Sequence, residues 1–226
     1  MQTPPDPGTP GTPGTPAHPG APDALKPRPI VHKGVMLAFP TPIAVHQFPD
    51  TDALNAHVKQ FVLDWRQREP GQQRSNRGGW HSPDKLLPEL GEPYANQLAQ
   101  MFLGLVRHTF GTLIEGEPQI PQARVEAWAN VNDRGDVNEP HIHPGCPWSG
   151  VYYVDAEPDK GGRLYFTDPR PAALMTHHAL SPWQISNTPK IEPRPGVMVV
   201  FPSFLYHAVE AHDSDRPRIS LAFNLR

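Results

Sequence analysis

Residues 197–209 read VMVVFPSFLYHAV, and this stretch decides the fold of the chain. Its first five residues are all apolar, which predicts a strand buried on both faces that ends at Pro202. A second strand, residues 205–211, then carries His207. A histidine that follows so apolar a strand is expected in the interior, where its ring nitrogens need partners.

Segments of similar texture lie on both sides of this stretch. They are rich in Val, Ile, Tyr and Phe and are separated by clusters of Gly, Pro, Asp and Asn: residues 124–131, 149–155, 163–167, 183–187, 197–202, 205–211 and 218–224. Many short strands at this spacing are typical of a sandwich or barrel. Upstream, apolar residues at helical spacing predict helices over 51–65 and 93–113. The predicted fold class is α+β, mainly β, with two N-terminal helices bracing a jelly roll.

The prolines are unevenly distributed. Residues 1–29 contain ten of them, together with repeated Gly-Thr-Pro triplets. Such a segment can bury too little apolar surface to order itself, so we expect a disordered tail followed by one folded domain over 30–226. A recognition motif for a proline-binding partner is the less favoured interpretation of the tail.

Charge and composition exclude several classes of protein. The formal net charge is −3 and no basic run occurs, which argues against a nucleic-acid binder. No apolar run is long enough to cross a bilayer, and no signal-peptide pattern opens the chain. With one cysteine, Cys146, no intrachain disulfide can form. We expect a cytoplasmic protein whose partners are small molecules or peptides, and the sequence does not indicate its oligomeric state.

Two histidines at alternate positions point to a metal. His141 and His143 stand in the run NEPHIHPG, residues 138–145. In an extended segment, residues i and i+2 share a face and lie roughly 6–7 Å apart, so both imidazoles can reach one ion at about 2.1 Å. With His207 as a third ligand, the set suits Fe(II), Zn or Cu.

Arg218 is the second unusual residue, because it opens an otherwise apolar strand. A hairpin centred on residues 212–215 would place it opposite His207, with both side chains pointing into the barrel. A buried arginine needs an anionic partner. That partner is either a ligand carboxylate or, alternatively, Asp155 or Glu210, in which case His207 is an ordinary core histidine.

From about Phe39 onward, the chain resembles the uncharacterised bacterial and phage branch of the 2-oxoglutarate/Fe(II)-dependent oxygenases. The resemblance rests on four ordered motifs: HIHPGCPWSGVYYV at 141–154, GRLYFTDPR at 162–170, FPSFLYH at 201–207 and RISLAFN at 218–224. It implies a double-stranded β-helix, the cupin-like form of the jelly roll. It also implies Fe(II) and 2-oxoglutarate as cofactors, and molecular oxygen as a second substrate.

The resemblance assigns roles to individual positions. His141 matches the first histidine of the family's His-x-Asp/Glu pair, and His207 matches its distal histidine. Arg218 matches the residue that binds the far carboxylate of 2-oxoglutarate, and Tyr153 matches a tyrosine that often contacts the same group.

His143 departs from the family pattern, which usually has a carboxylate there. Three neutral imidazoles would leave an Fe(II) site at +2 rather than +1. We favour an all-histidine ligand set. The alternatives are that Glu139 or Asp155 completes the site, or that a coordination position stays open, as in the related halogenases.

Four residues are weaker candidates for substrate contact. Trp80 lies in a long polar loop, Asn130 and Asn132 lie on the strand that leads to the metal loop, and Arg170 either binds an acidic substrate or closes a turn with Asp168. These are expectations from position alone.

The favoured function is a 2-oxoglutarate- and Fe(II)-dependent dioxygenase that hydroxylates its substrate while 2-oxoglutarate is decarboxylated to succinate. One alternative is a cupin-like three-histidine metalloenzyme that acts without 2-oxoglutarate. The other is a non-catalytic jelly roll that binds a metal or ligand.

Overall fold

The structure, a computed structural model, describes residues 31–32, 35–36, 41–113, 124–170 and 189–226. The apolar run at 197–202 forms the strand Val197–Pro202, and all six of its residues are buried. It pairs with Ala44–Gln47 on one side and Trp148–Asp155 on the other. The interior position predicted for this strand is therefore confirmed.

The described elements are numbered in chain order. The helices are α1 Asp52–Arg68, α2 Leu86–Leu90 and α3 Tyr94–Leu113. The strands are β1 Val31–His32, β2 Val35–Met36, β3 Ala44–Gln47, β4 Asn76–Arg77, β5 Trp80–His81, β6 Val125–Asn132, β7 Val137–His141, β8 Trp148–Asp155, β9 Leu164–Phe166, β10 Lys190–Ile191, β11 Val197–Pro202, β12 His207–Val209 and β13 Arg218–Leu225.

Two antiparallel sheets form the body of the domain. The six-stranded sheet has the order β3-β11-β8-β13-β6-β5, and the five-stranded sheet has the order β10-β9-β12-β7-β4. Consecutive strands from β6 to β13 alternate between the sheets for much of the chain, which is the connectivity of a double-stranded β-helix. The predicted fold class is confirmed.

The helices cover the outer face of the six-stranded sheet. Val58 of α1 and Phe102 of α3 are fully buried in one apolar cluster with Leu221 and Phe223 of β13. Gly150 of β8 permits this close approach, because a Cβ atom there would lie 2.8 Å from the ring of Phe102. The bracing helices are confirmed, whereas the short α2 was not predicted.

Side chains of β6 point alternately to the two faces of the six-stranded sheet, and the two faces differ in polarity. Ala127, Ala129 and Val131 point toward the helices and belong to the apolar cluster. Trp128 and Asn130 point the other way, into a cavity between the two sheets. The inner faces of the sheets therefore carry the polar residues that any chemistry would use.

Two predictions lie outside the described residues: the tail over 1–29 and the strand over 183–187. Among the described helices, none combines the length and the apolar character needed to span a membrane.

Candidate metal centre and cavity

A cavity of about 580 Å³ lies between the two sheets, and we call it the central cavity. Its volume falls within the roughly 300–1,000 Å³ typical of small-molecule sites. His141, His143, His207 and Arg218 all line it. The predicted metal ligands and the predicted anion-binding residue thus share one space.

The three histidines come from two neighbouring parts of the five-stranded sheet. His141 ends β7 and pairs directly with His207, which begins β12, while His143 follows in the loop after β7. One nitrogen from each ring lies within 4.8 Å of the others. The Nε2 atoms of His143 and His207 are 3.2 Å apart. Two nitrogens bound at right angles to one ion at about 2.1 Å would be roughly 3 Å apart, so the geometry fits a shared ion.

Backbone carbonyls orient two of these rings. Nδ1 of His141 lies 2.6 Å from the carbonyl oxygen of Glu139, and Nδ1 of His207 lies 2.9 Å from that of Leu205. A carbonyl oxygen only accepts, so Nδ1 carries the proton in both rings and Nε2 keeps a free lone pair. This is the arrangement that metal-bound histidines usually show.

Burial keeps the imidazoles neutral. It lowers the pKa of His141, and together with the neighbouring rings it lowers the pKa of His143 to about 4 and that of His207 to about 3. Only the neutral ring can bind a metal. The cluster is therefore available to a cation well below neutral pH.

No carboxylate joins this cluster among the described residues. Glu139 is ion-paired with Arg77 at 2.5 Å, and Asp155 is paired with Lys59 and Arg216 at 2.5 and 3.0 Å. Both acids that could have completed the site therefore have other partners. The donor set that remains is three neutral nitrogens.

Arg218 is buried to 2% exposure without an acidic partner in the described parts of the chain. Its Nη1 donates to Oδ1 of Asn132 at 2.9 Å, its guanidinium carbon lies 5.4 Å from the centre of the Tyr153 ring, and its Nε has no hydrogen-bond partner. Burial lowers the pKa of Arg218, and Tyr153 raises it in part. Glu210, the other acid considered, is paired with Arg163 and Lys190.

The predicted hairpin between His207 and Arg218 is wrong. His207 pairs with His141 and Phe166 in the five-stranded sheet, whereas Arg218 pairs with Asn132 in the six-stranded sheet. The connection over 210–217 is too long for a tight turn, and it crosses from one sheet to the other. His207 and Arg218 still line the same cavity, because they face it from opposite sheets.

Tyr153 lies beside Arg218, in the buried cluster behind the cavity wall. Its ring is fully buried and its hydroxyl has no hydrogen-bond partner. Burial raises the pKa of Tyr153, while the charge of Arg218 lowers it in part. The hydroxyl therefore stays protonated and can donate, alongside Arg218, to an anion.

The four substrate candidates have different positions. Asn130 lines the cavity, and its Oδ1 is buried without a partner. Asn132 is engaged with Arg218. The structure places Trp80 outside the cavity, packed edge-on against Trp65 with its indole N–H donating to the carbonyl of Glu69 at 2.8 Å. Arg170 is ion-paired with Asp168 at 2.7 Å, which is the turn-closing alternative.

His81 was considered together with Trp80 for the substrate mouth, and it is His81 that faces the cavity. It is the neighbour of Trp80 on β5, it pairs with Asn130, and it points into the cavity stacked on Trp128. Its Nδ1 lies 2.7 Å from the carbonyl oxygen of Ser82, so Nε2 remains an acceptor, and burial lowers its pKa. Alternation could have identified it, because adjacent strand residues face opposite sides.

Residues 126–224 match the family model described as "Putative 2OG-Fe(II) oxygenase". These residues belong to the 2OG-Fe(II) oxygenase family. The matched region carries the three histidines and Arg218 of the central cavity, and also Tyr153. No curated protein matches the chain in sequence.

Solved structures with this fold include several oxygenases of low sequence identity. A prolyl-4-hydroxylase from Pseudomonas putida aligns with a TM-score of 0.53 and 18% identity over 81% of this chain and 91% of that one. A prolyl hydroxylase from Trichoplax adhaerens aligns with a TM-score of 0.55 and 15% identity, covering 81% and 82%. The epimerase SnoN from nogalamycin biosynthesis gives 0.53 and 15%, covering 81% and 75%. These likenesses confirm the fold.

The family gives the oxygenase domain its cofactors, which are Fe(II) and 2-oxoglutarate. The residues present fit both. Three neutral imidazole nitrogens converge on one point, and imidazole suits a first-row divalent metal. Arg218 lines the same cavity, and it and the adjacent Tyr153 offer an unpaired N–H and an unpaired O–H that a carboxylate could satisfy.

Proposed function

We propose that this oxidoreductase is a 2-oxoglutarate- and Fe(II)-dependent dioxygenase that hydroxylates a C–H bond of its substrate. In this proposal His141, His143 and His207 bind the metal, and Arg218 with Tyr153 binds the far carboxylate of 2-oxoglutarate. The observation that carries it is the buried Arg218, which has no acidic partner within the described chain and faces the three histidines.

A bound anion would account for the burial of Arg218. Leaving a charge buried and unpaired costs several kcal/mol, and a hydrogen bond to a neutral amide offsets little of that. Its Nε and the Tyr153 hydroxyl are both buried donors with nothing to bind. A carboxylate placed between them would satisfy both and neutralise the charge.

The metal site and Arg218 are both positively charged, so a cosubstrate with two negative charges would complement both. An Fe(II) ion held by three neutral imidazoles has a net charge of +2, one unit more than with the usual carboxylate ligand. A dianionic cosubstrate with one carboxylate at Arg218 and the other at the metal would offset two of the three positive charges of the metal site and Arg218. When bound, the two cofactors would allow molecular oxygen to convert a C–H bond to C–OH, with one oxygen atom going to the product and the other to succinate as 2-oxoglutarate loses carbon dioxide.

The protein itself has three tasks in this scheme. Carbonyl groups of Glu139 and Leu205 hold the His141 and His207 rings with Nε2 exposed to the ion. Leu164, Phe201 and Val209 give the cavity an apolar wall that excludes water from the reacting groups. Arg218 and Tyr153 fix the direction in which the cosubstrate lies.

Asn130 and His81 are the residues that we propose for substrate contact. They are paired across β5 and β6 and both line the cavity, while neither belongs to the cluster of possible metal ligands. Oδ1 of Asn130 is unpartnered, and Nε2 of His81 is an acceptor. This wall would bind a substrate group that donates hydrogen bonds, such as an amide or hydroxyl. The contacts observed for Trp80 and Arg170 do not favour a substrate role for either.

The test is aerobic turnover of 2-oxoglutarate by protein reconstituted with Fe(II). With ascorbate supplying the two electrons that the absent substrate would give, we expect slow formation of succinate that depends on both iron and oxygen. The matched control is Arg134→Met, which removes an exposed arginine paired only with surface acids. Succinate formation that Arg218→Met leaves at the level of Arg134→Met would contradict the proposed cosubstrate site. Iron binding without any succinate would favour the three-histidine alternative that acts without 2-oxoglutarate.

A further inference from the structure

Three buried polar residues within the sequence motifs have no role in the site described so far, although Asn224 lines the central cavity. Ser149 precedes the Gly-Val-Tyr-Tyr run of β8, Ser203 follows the Phe-Pro end of β11, and Asn224 lies near the end of β13. Their exposed fractions are 1%, 0% and 4%. Polar side chains so deeply buried need partners, and these three supply one another's.

Their hydrogen bonds form a chain with a fixed direction. Ser149 Oγ donates to Oδ1 of Asn224 at 2.8 Å, and the Oγ atoms of Ser149 and Ser203 are 2.7 Å apart. Oδ1 can only accept, so the single proton of Ser149 is committed to Asn224. Ser203 must therefore donate to Ser149. We call these three residues the serine–asparagine triad.

Ser203, at one end of the triad, lies on a turn whose carbonyl groups accept hydrogen bonds from two of the proposed metal ligands. The carbonyl oxygen of Ser203 accepts the backbone N–H of His143 at 3.0 Å. The carbonyl oxygen of Leu205, two residues on, accepts Nδ1–H of His207 at 2.9 Å. The backbone N–H of Leu205 is bonded in turn to the carbonyl of Pro202 at 3.0 Å. A displacement of this turn would move His143 and rotate His207 together.

The triad also joins the two sheets. Ser149 and Asn224 stand opposite each other on β8 and β13 of the six-stranded sheet. Ser203 lies on the turn from β11 of that sheet to β12 of the five-stranded sheet. The hydrogen bonds of the triad thus fix the turn between β11 and β12, and β12 begins with His207.

We propose that Ser149, Ser203 and Asn224 are positioning residues of the metal centre, which set the spacing between His143 and His207 through the 203–205 turn. The proposal rests on the ligand set of the proposed function. Its rival is a triad that serves general stability and leaves metal geometry unaffected. Partners of metal ligands typically contribute about 10- to 100-fold in metal affinity.

Anaerobic titration of the apo protein with Co(II) distinguishes the two. Co(II) bound by imidazoles absorbs in the visible range, and its spectrum reports the ligand geometry. We expect Ser203→Ala to weaken Co(II) binding by about 10- to 100-fold and to alter the visible spectrum. Ser82→Ala is the matched control, because Ser82 is equally buried and its hydroxyl makes two hydrogen bonds, to the carbonyl of Pro83 and the N–H of Ala129.

The control separates stability from positioning. Ser82→Ala should lower the melting temperature to a similar degree and leave the Co(II) dissociation constant and spectrum as in the parent. Equal dissociation constants and spectra for Ser203→Ala and Ser82→Ala would overturn the proposal.

A second pair of variants keeps the test open if Ser203→Ala does not fold. Asn224→Ala removes the acceptor of Ser149 and should weaken Co(II) binding, whereas Asn224→Asp keeps an acceptor oxygen and should restore it. Equal weakening in both would refute the positioning role. A parent protein that binds no Co(II) would instead defeat the proposed function itself, and with it the ligand set on which the triad acts.

Discussion

Replacing Arg218 by Met should weaken the binding of 2-oxoglutarate and leave the stability of the ligand-free protein nearly unchanged. Met keeps the unbranched bulk of the side chain but removes its charge and donors. A carboxylate of 2-oxoglutarate would then be buried against Tyr153 alone. Breaking a buried charge pair costs about 3–5 kcal/mol, which is roughly 10²- to 10³·⁵-fold in dissociation constant.

The same change should hardly affect the protein without cosubstrate. Arg218 is 2% exposed and has no acidic partner in the described residues, so Met removes an uncompensated buried charge. The hydrogen bond to Asn132 is lost, and the unpaired amide oxygen costs about 1–3 kcal/mol. Replacing buried charges by apolar side chains is often neutral or stabilising by about 1–4 kcal/mol. The two contributions nearly cancel.

The assay is thermal unfolding of metal-loaded protein with and without 2-oxoglutarate, under anaerobic conditions. The parent and the Arg134→Met control should both be stabilised by 2-oxoglutarate. Arg218→Met should melt near the parent temperature alone and gain nothing from the ligand. A variant that is strongly destabilised alone and still stabilised by 2-oxoglutarate would refute the argument, since Arg218 would then be a structural residue.

Three further predictions concern the same cavity. His143→Asp restores the usual carboxylate, so we expect it to retain Co(II) binding and succinate formation; loss of the metal would show a site that requires three imidazoles. Burial lowers the folded-state pKa of His143 to about 4 and that of His207 to about 3, compared with about 6.5 in the unfolded chain. Between the folded and unfolded pKa values, the unfolded chain therefore binds more protons than the folded protein. The free energy of unfolding of the apo protein is then largest above pH 6.5 and falls as the pH decreases toward 4. Urea unfolding at pH 7.5 and at pH 5 measures this difference. Equal free energies at the two pH values would contradict the presence of neutral buried imidazoles. Gly162→Ala should impair 2-oxoglutarate binding, because Gly162 has φ +68° and a Cβ atom there would lie 2.8 Å from Cδ of Arg218; calorimetry showing parent affinity would indicate that Arg218 can move freely.

Local sequence patterns predicted the parts of the structure that depend on near neighbours. The run at 197–202 is apolar throughout and ends at a proline, so the limits of β11 were readable from the sequence. His141 and His143 are two residues apart in an extended segment, and their rings do converge. Arg218 was conspicuous because a charge opens a buried strand.

Pairings between distant segments were not readable in this way. The hairpin between His207 and Arg218 was inferred from chain proximity, but β13 inserts between β8 and β6, far along the sequence. Both residues still reach one cavity because each faces inward from its own sheet. Trp80 was selected because it lies in a long polar loop, although alternation allows only one of Trp80 and His81 to face the cavity.

The serine–asparagine triad gave no local signal at all. Its members are separated by 54 and 75 residues along the chain, counted from Ser149 to Ser203 and to Asn224. Serine and asparagine are common surface residues, so only their burial in the folded domain marks them as a network.

The central claim is that three histidines and Arg218 form a single site for Fe(II) and 2-oxoglutarate. Its most direct test is an anaerobic titration of the apo protein with Fe(II) and then with 2-oxoglutarate, followed by visible absorption. We expect a weak charge-transfer band that develops only when both are present, which is the mark of an oxoacid bound through two oxygens to iron. Iron-loaded protein that shows no such band at saturating 2-oxoglutarate would contradict the claim.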